Sequence, residues 1–435
     1  MTSRTYPPST LAWSVWGLAG ILYLIGFYQR VAPAVMTDEL TADFALDATT
    51  LGSLSAFYFY SYVIMQIPTG ILADRLGPKN LLTLGALVTG LGTYVFATAT
   101  IVLWAELGRL LIGGGVAVAF VCMLKLADHW LAPKHYALAS GIALCFGIIG
   151  AVFAGVPLRI AIDAYGWREV MFFSATLPFG VAALIWWLVR NDPTERGYRS
   201  YGHVRHAEDT PFKVMAGLKQ IFQYRNTWIL SLLPGSVVGS VLTFSGLWGV
   251  PFLTTHYGLS KTSAAAMATS VLVAWAVSGP ILGAWSDRLG KRKPLYAISL
   301  GALVPLWGVL LFVPNLPVPL LIGLLLAIGL MSGCMIIGFA FAKESVPRAL
   351  SGTVSGVVNM GVMLGPMLLQ PGVGFVLDRY GATIGEGGSL RYSLTAYQAG
   401  FSLMLVWLLV GFALILFSRE THCRHYEYRS GAFAR

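Results

Sequence analysis

Long apolar runs, separated by short polar connections, make up most of the chain. Residues 11–36, 103–126 and 402–417 are three such runs, and a helix that crosses a bilayer needs about 20 residues. Counting the runs gives six before the polar stretch 191–224 and six after it. The pattern therefore predicts an all-α membrane protein with twelve transmembrane helices.

This count divides the chain into two six-helix bundles joined by the polar stretch. We assign residues 1–190 to the N-terminal bundle, 191–225 to a linker, 226–418 to the C-terminal bundle and 419–435 to a tail. The first run is too long and too aromatic for a signal peptide, so we expect it to remain as a span.

Composition agrees with a lipid environment and excludes several function classes. Of the 435 residues, 56% are hydrophobic and 11% are charged, whereas soluble domains average about 25% charged residues. The four cysteines show no metal-ligand spacing. The spans contain no Ser-His, paired-Asp or metal set, and the chain has no Gly-x-x-x-x-Gly-Lys-Ser/Thr stretch. We therefore expect no enzyme activity, no cofactor and no metal site.

The basic residues follow the loops and do not form one patch, which argues against nucleic acid as a partner of this +10 chain. The connection 37–50 holds four acidic residues and no Lys or Arg, whereas the next connection holds Arg75 and Lys79. Alternate connections continue this bias. The positive-inside rule places the basic connections and both termini in the cytoplasm. The short loops favour a bacterial inner membrane.

A ten-residue motif occurs twice in the chain. Residues 70–79 and 283–292 share Gly, Asp, Arg, Gly and a final basic residue at equal spacing, 213 residues apart. Asp163 and Asp378 begin a further matched pair at an offset of 215. The two bundles are therefore predicted to be parallel repeats, an arrangement that places a solute site near the midplane between them.

The repeated motif resembles the loop signature of the major facilitator superfamily, and the resemblance extends over nearly the whole chain. Pro78 departs from the family pattern, which usually has a basic residue there. The resemblance implies a mostly monomeric transporter in which the motif acts as a gate and its aspartate faces the N-terminal end of the eleventh helix. A carboxylate there is favoured by roughly 0.3–1 kcal/mol. The gate residues are Gly70, Asp74, Arg75, Gly77, Lys79, Asp287, Arg288 and Gly290, with Gly283 and Arg292 completing the second copy.

Span four adds a second resemblance, since Arg109 followed by Gly113 and Gly115 is similar to the family's arginine and glycine signature. The family's antiporter signature is not reproduced in span five, where Gly147 and Gly150 have the wrong spacing. Drug or proton antiport is therefore disfavoured.

Two arginines inside spans are the strongest candidates for a substrate site, because a buried charge is costly in a membrane. Arg30 in span one and Arg109 in span four both lie roughly 9 Å to the outer side of the midplane. Two guanidinium groups at one depth suit a carboxylate, sulfonate or phosphonate. The alternative is that Arg30 extends outward along its helix end and that Arg109 pairs with Glu106. For Lys125, we predict a structural ion pair with Asp128.

Polar and aromatic side chains at helical spacing extend the candidate site. Tyr58, Tyr62 and Gln66 share one face of span two, and Asn359 and Gln370 share one face of span eleven. Trp275 is a candidate for an apolar wall. The alternative for each of them is packing or an interfacial position.

The sequence Phe27-Tyr28-Gln29-Arg30 resembles the first span of the organic-anion symporter branch, where an aspartate commonly precedes the arginine. Gln29 takes that place here, which leaves Glu106 as the proton-coupling candidate. Proton symport would need either Glu106 as the proton carrier or a proton that travels on the substrate. Anion exchange and facilitated diffusion need neither of these carriers.

These observations predict a secondary transporter that imports a small organic anion by alternating access, with the lipid bilayer as its surroundings. The alternative is an efflux transporter for amphipathic or drug-like compounds, in which the aromatic faces bind and the arginines are structural. A sensor with a transporter fold is a third reading, and the chain offers no soluble signalling domain for it.

Overall fold

The structure, a computed structural model, describes residues 5–202, 211–384 and 390–424. Among these residues, twelve helices are long and apolar enough to cross a membrane. The predicted all-α fold with twelve spans is therefore confirmed. The spans are Ser9–Val35, Ala48–Arg75, Gly77–Thr98, Val102–Trp130, Pro133–Tyr165, Trp167–Leu188, Arg225–Tyr257, Lys261–Leu289, Lys293–Phe312, Val318–Glu344, Ser351–Tyr380 and Leu394–Leu416.

Several spans consist of two helices with a break between them. In chain order the α-helices are α1 Ser9–Val31, α2 Thr37–Phe44, α3 Ala48–Arg75, α4 Gly77–Thr98, α5 Val102–Val116, α6 Ala119–Trp130, α7 Pro133–Phe153, α8 Val156–Tyr165, α9 Trp167–Leu188, α10 Pro211–Ile221, α11 Arg225–Thr243, α12 Gly249–Tyr257, α13 Lys261–Leu289, α14 Lys293–Phe312, α15 Val318–Ser332, α16 Met335–Glu344, α17 Ser351–Tyr380 and α18 Leu394–Leu416. A strand Ala382–Ile384 (β1) pairs antiparallel with Leu390–Tyr392 (β2).

The breaks occur where the sequence weakens the helical hydrogen-bond ladder. Span five is interrupted between α7 and α8, where Pro157 lies in the first turn of α8 and lacks the N–H that a continuous helix would use. Span seven contains a π-helical turn, Phe244–Trp248, between α11 and α12. Such turns are rare and occur often at functional sites.

The residues fall into two compact units by their contacts. Unit 1 contains the described residues within Met1–His206, Leu242–Leu272 and Gln370–Gly400, and unit 2 contains those within Ala207–Val241, Val273–Leu369 and Phe401–Arg435. Both sequence halves therefore contribute to unit 1, because this unit includes the 242–272 and 370–400 parts of spans seven, eight, eleven and twelve. The bundle boundaries assigned from the sequence stay a prediction.

Glycines allow the helices of unit 1 to approach closely. A Cβ atom on Gly92 of α4 would lie 2.8 Å from the carbonyl oxygen of Gly108 in α5, and Gly85 meets the Gly115 carbonyl in the same way. Small residues at helix interfaces let backbones pack together where lipid supplies no hydrophobic driving force. The α4–α5 interface is therefore fixed by glycines on both helices.

Unit 1 has one end formed by the connection 32–47, which we call the acidic end. It contains a 3₁₀ turn at Ala32–Val35 and the short helix α2. Gly374 of α17 packs against the Ala48 carbonyl of α3 here, and Gly155 packs against the Thr269 side chain of α13. At this end, span two thus packs against span eleven, and span five packs against span eight.

Unit 2 is built in the same manner. Gly361 of α17 packs on the Ser231 carbonyl of α11, and Gly235 of α11 lies against Gly365 of α17. Asn226 joins two further elements, since its Nδ2 donates to Ser345 Oγ at 2.9 Å and to the Arg419 carbonyl at 2.8 Å.

Large apolar side chains cover much of the surface. Phe173 and Trp187 are each 70% exposed, and Ile64 is 69% exposed. Soluble monomers rarely expose so much contiguous apolar surface, and this surface suits contact with lipid.

Candidate functional site

Arg30 lies near the end of α1 in a pocket of aromatic rings. Its side chain is 3% exposed, and its guanidinium carbon lies 4.3 Å from the ring centre of Phe27, 5.1 Å from Tyr62 and 5.6 Å from Tyr58. These distances are within the range of cation–π attraction. Its Nε is buried without a hydrogen-bond partner.

Arg30 also has no carboxylate within ion-pair distance in the part of the chain that the structure describes. The aromatic faces stabilise the cation, but they carry no negative charge. Among the described residues, Arg30 is therefore a buried cation without an anionic partner.

Arg109 lies beside the same tyrosine and has a different set of contacts. Its Nη1 donates to the Gln29 carbonyl at 2.6 Å and its Nη2 to the Ser55 carbonyl at 3.3 Å. Its guanidinium carbon is 5.2 Å from the ring centre of Tyr58. At 1% exposure, Arg109 ties α1, α3 and α5 together through backbone oxygens. The alternative, an ion pair with Glu106, is not found among the described residues.

Tyr58 is the residue that the two guanidinium groups share. Its hydroxyl donates to the Gly26 carbonyl at 3.0 Å, which fixes the ring against α1. Gly113 of α5 packs directly on the Tyr58 carbonyl, leaving no room for a side chain at that position. Arg30 and Arg109 therefore lie near one ring, and their depth in the membrane stays a prediction.

The face of α3 predicted from the sequence continues beyond Tyr58. Tyr62 stacks on Tyr58 with ring centres 6.0 Å apart, and Gln66 Nε2 donates to the Tyr62 carbonyl at 3.3 Å. Tyr60 packs instead on Phe57, with ring centres 5.4 Å apart. Glu106 is only partly buried and forms no ion pair with Arg30 in the described part of the chain, and its proton-coupling role stays a prediction.

The candidate residues from the second sequence half are divided between the units. Gln370 is fully buried in unit 1, where its Nε2 donates to the Leu242 carbonyl at 3.0 Å and its own carbonyl accepts from Trp248 Nε1 at 3.0 Å. Trp275 and Asn359 are partly exposed residues of unit 2. The roles of all three stay a prediction.

Two residues of the arginine pocket were missed from the sequence as site residues. Phe27 and Tyr23 precede Arg30 by three and seven positions, which is the spacing of one helix face. Tyr23 is close enough to interact electrostatically with Arg30. The signal was present in the sequence as an aromatic stripe that leads to the arginine.

The first copy of the repeated motif contains one correction to the sequence analysis. Lys125 Nζ bonds to Asp74 Oδ1 at 2.7 Å and to the Ala73 carbonyl at 2.6 Å, so the predicted pair with Asp128 is wrong. The physical reason is that the lysine reaches the end of α3, where two oxygens accept hydrogen bonds from its ammonium group. Asp128 is exposed to the surroundings of the unit.

The start of α4 shows why the motif needs glycine. Gly77 has φ +77, a conformation that side chains disfavour, and it packs against Asn191. The Asn191 Oδ1 accepts from the Lys79 backbone N–H at 2.9 Å. The Lys79 ammonium lies 4.3 Å from the ring centre of Trp186.

The second copy of the motif forms a different set of ion pairs. Arg292 bonds through Nη1 to Asp287 at 2.6 Å and through Nη2 to Glu344 at 2.7 Å. Burial lowers the pKa of Arg292, but the hydrogen bonds to Glu344 and Asp287 outweigh this effect and raise it. The gating roles expected for both copies stay a prediction.

The acidic end carries a charge cluster that the sequence analysis did not connect. Arg159 pairs with Glu39 at 2.9 Å and with Asp163 at 2.5 Å. Lys261 pairs with Asp38 at 2.8 Å and with Glu39 at 3.3 Å. Among the described residues, no group of three or more His, Cys, Asp and Glu is placed to hold a metal ion.

Comparison with known families decides the class of the protein. A model described as the Major Facilitator Superfamily matches residues 16–369 and 237–431. The chain belongs to the major facilitator superfamily. It is therefore a membrane transporter and not an enzyme, as the sequence predicted.

Individual members of the superfamily resemble the chain over most of its length. The probable sulfoacetate transporter SauU of Cupriavidus necator is 24% identical over 391 residues, covering 84% of this chain and 87% of SauU. The probable galactarate/D-glucarate transporter GudP of Escherichia coli is 23% identical over 402 residues, covering 86% of this chain and 88% of GudP.

A solved superfamily structure confirms the fold. A bacterial homologue of the human lysosomal transporter Spinster, in an inward-facing and unoccupied conformation, has a TM-score of 0.77 and 18% identity. The similarity covers 94% of this chain and 97% of that chain. At this level of identity it supports the fold alone.

Proposed function

We propose that this protein is a secondary transporter that imports a small organic anion, with a carboxylate or sulfonate group, by alternating access. The observation that carries the proposal is Arg30, a guanidinium buried inside a span with no carboxylate partner among the described residues. An isolated buried charge costs at least roughly 2.5–3.5 kcal/mol at a helix centre. An anionic substrate would offset that cost.

The surroundings of Arg30 favour a planar, bidentate anion. A guanidinium presents parallel N–H groups that match the two oxygens of a carboxylate or sulfonate. The rings of Phe27, Tyr58 and Tyr62 surround the guanidinium group, and its Nε is a buried donor without a hydrogen-bond partner. Arg30 is the proposed ligand.

Arg109 is proposed as a positioning residue that adds positive potential. Both of its hydrogen-bonded nitrogens already serve backbone carbonyls. Its loss would release Tyr58 from the α1–α3–α5 junction and so disturb the Arg30 pocket. Tyr62 and Gln66 continue the polar face of α3 and are proposed to contact the substrate, as are Gln370, Asn359 and Trp275.

The relatives support the same substrate class. The name of SauU describes a sulfonated carboxylate as its cargo, and that of GudP describes two sugar dicarboxylates.

The distribution of basic loops supports a bacterial inner-membrane location with both termini cytoplasmic. The acidic end would then face outward, and its packed contacts would form the outer gate. We propose a monomer as the transporting unit.

Ligand-induced thermal stabilisation of the purified protein in detergent tests this proposal. The probes are sulfoacetate, D-glucarate and glucose 6-phosphate, with tetraphenylphosphonium as a lipophilic cation. A ligand at 100 times its Kd stabilises the folded state by about 2.7 kcal/mol. We expect at least one anion to stabilise the wild type and to lose its effect on Arg30→Gln.

Arg391→Gln is the matched control, because Arg391 is an exposed arginine of β2. It should respond to the anion as the wild type does. Stabilisation by tetraphenylphosphonium alone, equal in the wild type and Arg30→Gln, would contradict the proposal and favour efflux of amphipathic compounds.

A further inference from the structure

Every carboxylate side chain that the structure describes in unit 2 is bound to one residue, Arg292. Asp287 pairs with its Nη1 at 2.6 Å, and Glu344 pairs with its Nη2 at 2.7 Å. Glu420 accepts a hydrogen bond from its backbone N–H at 2.9 Å. The described ranges of unit 2 contain no other Asp or Glu. The other basic side chains of this unit therefore have no further carboxylate in these ranges to neutralise them.

Four of these basic side chains form a group, which we call the basic corner. Lys219 is near the end of α10, Arg225 begins α11, Lys343 is near the end of α16, and Arg348 begins the 3₁₀ turn that follows α16. All four are exposed. None of them forms an ion pair with another described residue.

Two contacts bring the segments of the basic corner together. Asn226, the second residue of α11, donates through Nδ2 to Ser345 Oγ at 2.9 Å, which joins the start of α11 to the end of α16. A Cβ atom on Gly217 of α10 would lie 3.6 Å from Leu350 Cδ2, so α10 packs against the 3₁₀ turn. The fold therefore gathers four positive charges from separate parts of the chain.

An exposed tryptophan lies beside these charges. Trp228 is 56% exposed and follows Arg225 by three residues on α11, a spacing that places both on one helix face. The Trp228 Nε1 donates to the Phe222 carbonyl at 2.8 Å, and the two rings are 4.5 Å apart. Tryptophan at a span end is typical of the headgroup level of a bilayer. The basic corner is therefore expected at the depth of the lipid phosphates.

We infer that the basic corner binds the headgroup of an anionic phospholipid, with Trp228 against the upper part of its acyl chains. Lys and Arg clusters next to a span or on a surface helix attract anionic lipids. The lipid phosphate supplies a negative charge where the described carboxylates of unit 2, all bound to Arg292, supply none. The site is independent of the substrate proposed for Arg30.

Such a lipid would join the linker helix α10 to spans seven and ten, and it should therefore stabilise the folded protein. Thermal unfolding of the full chain in detergent tests this. The probes are dioleoylphosphatidylglycerol, which is anionic, and dioleoylphosphatidylcholine, which has the same acyl chains and no net charge. Only the anionic lipid should raise the unfolding temperature. Its effect should shrink at an ionic strength of about 1 M, where the Debye length is about 3 Å. Equal stabilisation by both lipids would overturn the inference.

A triple variant locates the site. Combining Lys219→Gln, Arg225→Gln and Arg348→Gln should weaken the affinity for the anionic lipid on the order of 100-fold, because each basic residue near an anionic surface contributes about fivefold. All three side chains are exposed, so the fold should tolerate their exchange.

The matched control removes the same charge elsewhere on unit 2. It combines Lys291→Gln, Arg419→Gln and Arg424→Gln, three exposed positions of which the first adjoins Arg292 and the other two lie near Glu420. This variant should respond to the anionic lipid as the wild type does. Equal losses in the two triple variants would show a diffuse attraction to the whole unit and contradict a defined site.

A single variant and a soluble anion complete the test. Arg225→Gln alone should weaken the lipid affinity about fivefold, which keeps the inference testable if the triple variant does not fold. Inorganic phosphate should not replace the lipid, because it lacks the acyl chains that would contact Trp228. If inorganic phosphate stabilises the wild type and loses this effect on Arg225→Gln, the corner is a site for a soluble anion and the lipid assignment is wrong.

Discussion

Asp378, near the end of α17, caps the first turn of α3 at Thr49. Its carboxylate accepts from the backbone N–H of Thr49 at 2.7 Å, from the Thr49 hydroxyl at 2.5 Å and from the Ala48 N–H at 3.0 Å. Tyr392 donates a further hydrogen bond at 2.9 Å. The two residues are 329 positions apart, so this contact joins the two sequence halves at the acidic end.

The first prediction concerns this cap. Asp378→Ala should lower the stability of the protein by about 2 kcal/mol, because it removes charged hydrogen bonds from a helix N-terminus. Thermal unfolding in detergent measures the loss, and a double-mutant cycle with Thr49→Val measures the coupling. Asp163→Asn is the control, since Asp163 matches Asp378 in the repeat but bonds to Arg159. Additive losses in the cycle would contradict the proposed cap.

A pair of adjacent glycines gives a second prediction. A Cβ at Gly113 would overlap the Tyr58 carbonyl, whereas at Gly114 the nearest atom would be 3.7 Å away. Gly113→Ala should therefore displace Tyr58 at a cost of about 1–3 kcal/mol and weaken anion binding by about tenfold. Gly114→Ala should change neither quantity. Equal effects of the two substitutions on binding would show that the Tyr58 position does not matter.

The third prediction compares the two copies of the repeated motif. Glu344 is 8% exposed and Asp74 is 74% exposed. Glu344→Gln should cost about 3 kcal/mol, because it leaves Arg292 buried beside a neutral partner. Asp74→Asn should cost less than about 1 kcal/mol, because its pair is solvated. Comparable shifts in thermal unfolding would mean that the buried pair adds no stability.

A pH effect follows from Asp192 at the start of the linker. Burial raises its pKa, but hydrogen bonds from His129, Thr194 and Ser200 outweigh burial and lower the pKa to about 2. The folded value lies below the unfolded one, so Asp192 stabilises the protein above pH 4 or so and loses this effect as the pH falls toward about 2.

The contribution of Asp192 at neutral pH should be about 1 kcal/mol, because the carboxylate is partly solvated. Thermal unfolding of the wild type and Asp192→Asn at pH 7 and pH 3 measures it. The difference between the two proteins should shrink at the lower pH. A difference that stays constant would contradict the assignment.

Much of the candidate site could be read from helical spacing. Arg30 and Arg109 were placed at one depth by counting residues, and Tyr58 and Tyr62 were placed on one face; the structure brings all four together. Spacing could not say that Arg109 serves carbonyls of two other helices, because helix rotation depends on packing. The partner predicted for Lys125 is wrong for the same reason. Spacing along one helix indicates Asp128, whereas helix packing brings Asp74, 51 positions away, to the lysine.

The sequence by itself determined the twelve spans, the repeat and the superfamily, because bilayer thickness and backbone satisfaction constrain every span locally. Only the tertiary structure decided that Arg30 lies among rings, with no carboxylate partner among the described residues, and that Asp378 caps α3. These facts depend on which faces of distant helices meet. Close packing at glycines such as Gly113 and Gly374 sets those faces, and no local pattern specifies them.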